Sequence, residues 1–163
     1  MFNDFKPVLK ILLRFVILYV VMVLAYQFYL NHFKNTGLDP VSEWVANQAA
    51  FVQNFFGYHT QIVPGKPEQE TDWFYVSGRY VSRMVEGCNA ISVMVLFLAF
   101  VFAFYQGIRT FVFAGLGFIF LHLINVLRIA GLNILLVEWP QYSKIGHDYL
   151  FPAIIYGSVV LLW

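Results

Sequence analysis

Three stretches of this chain are too apolar to be held in water. Ile11–Leu30 runs for 20 residues with Arg14 as its only charge. Asn89–Gln106 carries no charged side chain, and Thr110–Leu127 carries only the titratable His122. A helix needs about 20 apolar residues to cross the hydrocarbon core of a bilayer. Charged residues make up 12% of the 163, where a soluble domain has about 25%. That supply cannot give three such helices a water-facing surface. A fourth apolar run begins near Leu150 and has 14 residues to Trp163, roughly 21 Å of helix. The expected fold is therefore an all-α integral membrane protein with about four transmembrane helices. The expected divisions are an N-terminal span over 1–33, an extracytoplasmic segment over 34–87, and a membrane core of three spans over 88–163.

Ile11–Leu30 is longer than the apolar core of a cleavable signal, about 7–15 residues, and no small-residue cleavage site follows it. It is expected to be retained. Lys6, Lys10 and Arg14 at its start favour a cytoplasmic N-terminus, which puts residue 31 outside and the Gly107–Arg109 turn inside.

The extracytoplasmic segment has its own signals. Asp39-Pro40 is a helix start, with Asp39 as cap and Pro40 in the first turn. Val41, Trp44, Val45, Ala49, Val52, Phe55 and Phe56 recur at helical spacing until Gly57. This is the pattern of an amphipathic helix lying on the membrane or on the bundle. Residues 64–72 are polar and turn-rich, so an exposed loop is expected there. Trp73–Val76 and Tyr80–Val85 flank Ser77-Gly78 and are expected to pair as a short hairpin.

Several function classes are excluded. A net charge of +1 offers no basic patch for nucleic acid. The single cysteine, Cys88, cannot form an intrachain disulfide or a cysteine metal cluster. His32 and His59 lack ligand-like spacing, no phosphate loop or dinucleotide fingerprint occurs, and Ser92 has no G-x-S-x-G context. No cofactor is expected.

Counting residues brings three polar groups to one depth. Cys88 lies 20 residues before Ile108 and Arg128 lies 20 after it. Each is ~30 Å of helix from that turn. The connection from Arg128 to His147 is too short and broken to cross the membrane again. Cys88, Arg128 and His147 are thus expected near the same outer face. Cys88 at the start of a span would have its thiolate held by free helix N–H groups. Arg128 cannot act as a base but can hold a thiolate or an oxyanion. His147 titrates near neutrality and is the acid/base candidate. Such a set suits thiol-based acyl transfer. Each residue also has an ordinary explanation, as a buried small residue, a snorkelling anchor and a polar flank. His122 and Asn125, on the same side of their span as Arg128, are read as interhelical hydrogen-bonding residues.

The segments Val85-Glu86-Gly87-Cys88-Asn89-Ala90, Asn125-Val126-Leu127-Arg128-Ile129 and His147-Asp148 resemble the exosortase/archaeosortase family, most closely its short F-type bacterial branch. The resemblance covers residues 80–163. It implies a cysteine peptidase/transpeptidase of the bacterial cytoplasmic membrane, multi-pass, with its site facing outside. Cys88 matches the family nucleophile, Arg128 its arginine and His147 its third polar residue. Glu86, Asn89, Asn125 and Asp148 are the candidate supporting or substrate-binding residues. The implied partners are membrane-anchored proteins with a C-terminal sorting signal, the lipid bilayer, and a second copy or a helper membrane protein, since larger members have about eight spans. The competing readings are a non-enzymatic membrane scaffold or assembly subunit, and a small channel or transporter. The latter predicts a polar path through the spans, whose interiors here are nearly charge-free.

Overall fold

A computed structural model describes residues 6–162, except for the side chains of Ser143 and Phe151. Residues 1–5 of the expected N-terminal segment and Trp163, the expected end of the fourth span, lie outside the described residues. The chain is mainly helical but not all-α. In order it forms α1 (Lys6–Phe33), α2 (Pro40–Phe55), β1 (Thr60–Pro64), β2 (Thr71–Val76), β3 (Arg79–Val85), α3 (Ile91–Ala103), α4 (Ile108–Glu138), a single turn α5 (Ser143–Ile145) and α6 (Phe151–Leu162). A π-helical turn, Gly146–Leu150, leads into α6.

Two helices, α1 and α4, are long and apolar enough to cross a membrane, with 28 and 31 residues. α3 has 13 residues, roughly 20 Å. The span expected over Asn89–Gln106 is shortened at both ends by left-handed backbone, at Ala90 (φ 59°) and Gly107 (φ 79°). The third apolar run, whose end the sequence leaves open beyond Leu127 until Glu138-Trp139-Pro140 stops it, forms one helix that extends to Glu138. Gly131, midway through that extension, does not break it, because a lone glycine costs a helix only about 1 kcal/mol.

The chain divides into two compact units. The first joins the N-terminal residues to His32 with Ile91–Phe120. It is held by aromatic contacts. Phe15 meets Phe100 edge-on at 6.1 Å, and Phe97 packs on Phe113 at 5.9 Å. Gly117 leaves room for the Phe97 ring, since a Cβ there would come within 2.3 Å of its Cζ.

The second unit comprises Phe33–Ala90 and Leu121–Trp163. α2 starts as its sequence signals. The Asp39 carboxylate accepts from the amides of Val41 and Ser42, both at 3.1 Å. Its buried face keeps part of the expected stripe, with Val45 and Ala49 buried and Val41 and Val52 half-buried, and leaves the aromatic members out. Ser42, Val45, Ala46, Ala49, Ala50 and Gln53 are buried, while Trp44, Phe51 and Phe55 are exposed. Small side chains let α2 pack closely on β1, β3 and the Glu86–Asn89 segment, and Val126, Ile129 and Ala130 of α4 complete the core with Phe74 and Met84 of the sheet. Gln53 donates to the Ala130 carbonyl and accepts from the Thr60 hydroxyl, tying α2 to α4 and β1.

The hairpin expected at Ser77-Gly78 forms, with both residues at positive φ, 51° and 78°. Such a two-residue turn matches the strands' twist. The stretch 64–72 is not one exposed loop. It closes a second hairpin, with Thr71 and Asp72 buried at the start of β2. β1 pairs antiparallel with β2, giving a three-stranded sheet in the order β1-β2-β3.

Asp72 carries a testable cost. Burial pushes its carboxyl pKa up, and the Glu43 carboxylate pushes the same way. The folded state then holds the proton more tightly than the unfolded chain. Ionised Asp72 therefore opposes folding at neutral pH; the opposition fades as pH falls through the raised folded-state pKa and is gone below the unfolded carboxylate pKa. Asp72→Asn is expected to melt at a higher temperature than wild type at pH 7, with the gap closing in acid. A gap independent of pH would reject this cause.

Candidate functional site

Cys88 does not open a span. It sits in a 3₁₀ turn, Glu86–Asn89, and the left-handed Ala90 separates that turn from α3. The thiol therefore lacks the helix N–H groups expected to hold it. The turn is anchored on both sides. Asn89 is buried and donates to the Ser42 hydroxyl on α2 at 2.9 Å. Asn125 on α4 donates to the Cys88 carbonyl at 3.0 Å. Cys88 itself is half-buried, a free thiol packed against the core between α2, the sheet and α4.

A cavity of about 650 Å³ opens beside this turn. Cys88, Arg128 and His147 all line it, so the three residues matched by counting share one chamber. Arg128 is half-buried, and its Nε is buried without a hydrogen-bond partner among the described residues. His147 is exposed in the turn before α6, and its Nδ1 lies 2.8 Å from an Asp148 carboxylate oxygen. A carboxylate there favours the proton on Nδ1 and leaves Nε2 as the basic nitrogen. Arg83 and Lys144 also line the chamber, with Asp148 as its one carboxylate.

The supporting candidates divide. Asp148 orients His147. Asn89 and Asn125 hold the Cys88 turn and do not line the cavity. Glu86 is exposed and also lies off the cavity wall. His122 bonds Gln48 at 2.8 Å and stacks on Trp44 at 4.7 Å, joining α4 to α2 as an interhelical residue. Four polar cavity residues were absent from the expected site, Ser82 and Arg83 on β3, Asn133 on α4 and Lys144 in α5. The Ser82 hydroxyl donates to the Asn133 side-chain oxygen. Asn133 had one available signal, a polar residue within an otherwise apolar helical run.

The Asn125 bond predicts a measurable coupling. Asn125→Ala is expected to lower stability by about 1–2 kcal/mol and to speed alkylation of Cys88 by iodoacetamide as the turn loosens. Unchanged alkylation would show that Asn125 does not hold the turn. No family model matches the chain, and no curated protein and no solved structure matches it.

Proposed function

We propose that this protein is an exosortase-like cysteine peptidase/transpeptidase of the bacterial cytoplasmic membrane, cleaving C-terminal sorting signals of exported proteins at the outer face. The observation that carries the reading is the shared cavity of Cys88, Arg128 and His147, around the chain's single thiol. The membrane setting rests on α1, apolar along its length with no buried residue, and on α4. In this reading α3 and the Gly146–Leu162 helix complete about four membrane-embedded segments, and the Gly107–Arg109 turn is cytoplasmic.

The chemistry proceeds in two halves. His147 takes the Cys88 thiol proton on Nε2, the sulfur bonds to the substrate carbonyl carbon, and the carbonyl electron pair moves onto oxygen. Arg128 stabilises that oxyanion through its guanidinium donors. The carbon–nitrogen bond then breaks, and His147, its Nδ1 held by Asp148, gives its Nε2 proton to the leaving amine. A thioester remains on Cys88. An acceptor nucleophile attacks it, His147 takes the acceptor's proton and gives it to the departing sulfur, and the thiol is regenerated. The chamber is walled by β3, the Cys88 turn, α4 and the segment entering α6.

The test is capture of the thioester. Membranes co-expressing the protein with exported proteins that end in an apolar helix and a basic tail are treated with hydroxylamine, which cleaves thioesters. A hydroxylamine-sensitive adduct mapped to Cys88 is the expected result. Substrate processing that persists without any Cys88 adduct, and in a Cys88→Ala strain, would reject the mechanism.

A further inference from the structure

The sheet order leaves β3 at an edge. Among the described residues its backbone hydrogen bonds go to β2, and none joins its other side to another element. Alternate residues of an antiparallel strand turn both N–H and C=O away from their partner, so β3 presents a row of free donors and acceptors. Ser82, Arg83, Met84 and Val85 all line the Cys88 cavity. Successive side chains of a strand point to opposite faces. A chamber touched by four in succession therefore lies against the strand's edge and not over one face. Cys88 follows three residues after Val85.

The wall formed by α4 carries a matching group. Asn133 is 1% exposed, and its Nδ2 has no partner among the described residues. The other amide atom is taken by Ser82. Asn133 borders this chamber, and whichever way the amide is turned, one of its polar atoms is left unpaired among the described residues.

We propose that the substrate peptide binds as an added strand along the outer edge of β3, its reacting carbonyl carried past Val85 to Cys88, with Asn133 bonding its main chain from the opposite wall. This rests on the peptidase reading above and specifies the form in which substrate is bound. Main-chain bonds would supply affinity with little demand on side-chain identity, as in other strand additions. Asn133 acts here as a positioning residue.

The test uses the full-length protein in lipid vesicles and a random library of six-residue peptidyl vinyl sulfones, which alkylate a thiol irreversibly. The fastest member is remade with one backbone N-methyl group at each position in turn, and Cys88 modification is followed by mass spectrometry. The expected pattern alternates. Methylation at every second residue slows labelling about five- to tenfold, the value of one main-chain hydrogen bond, and the residues between tolerate it. Asn133→Ala is expected to slow the peptide probe by a similar factor and leave iodoacetamide labelling unchanged, which a merely structural role would not do. Loss that is uniform along the peptide, or no loss at all, overturns strand addition while the peptidase reading stands. If no library member modifies Cys88 although iodoacetamide does, the peptidase reading falls and this proposal with it.

Discussion

Cys88→Ser is expected to reduce processing of a membrane-anchored substrate by at least about a thousandfold, the scale on which loss of a nucleophile acts. The variant should remain folded and at normal abundance. Serine nearly matches cysteine in size, and the Asn125 bond is to the backbone carbonyl of residue 88, which the substitution keeps. What is lost is the thiol. A hydroxyl needs a base in direct contact to attack a carbonyl, whereas a thiolate needs only its charge to be tolerated. His147 is exposed, and among the described residues no hydrogen bond joins it to the side chain at position 88, so no base stands in contact with a serine hydroxyl there. The measurement is the processed fraction of substrate in cells, with enzyme abundance followed in parallel. Near-normal processing by the serine variant would remove the thiol mechanism.

Arg128→Lys is expected to cost about a hundred- to a thousandfold, the range measured when one oxyanion donor is removed. The charge is kept, but the planar fork of donors is not. Arg128 has one buried donor, Nε, without a partner while its side chain lines the chamber. Lysine offers no equivalent of that nitrogen and carries a more strongly hydrated head that resists partial burial. If Arg128 were a snorkelling anchor, lysine would serve as well. Processing near the wild-type level in the lysine variant would leave charge as the whole of its role. A fall in abundance matching the fall in processing would assign the loss to folding.

Features set by a few neighbouring residues were legible in the chain. Asp39-Pro40 starts α2 because the carboxylate reaches amides two and three residues ahead. Ser77-Gly78 turns the hairpin because both accept positive φ. The apolar runs over α1 and α4 announce helices fit to cross a bilayer. Other features were hidden. β1 is a five-residue strand ending in proline, with too weak a pattern to declare itself before β2 offers it a partner. Ala90 takes a left-handed conformation that a non-glycine residue gives no local reason to expect, so the helix appeared to begin at the cysteine.

Residue counting put Cys88 and Arg128 near one face through the constant rise of a helix, and the short, broken connection after Arg128 added His147. It could not say which way any side chain points. That was decided by the tertiary structure, through bonds between residues distant in sequence. Asn125 holds a turn 37 residues earlier, and Asn133 meets Ser82 across 51. The same holds for α2, where periodicity marked an apolar helix but packing against β1, β3 and the Glu86–Asn89 turn selected small residues for burial and left Trp44, Phe51 and Phe55 outside. Local hydrogen bonding and hydrophobic length are properties of contiguous residues, so the sequence carries them directly. Which face is buried, and which polar groups meet in a cavity, depend on the shapes of elements far apart in the chain.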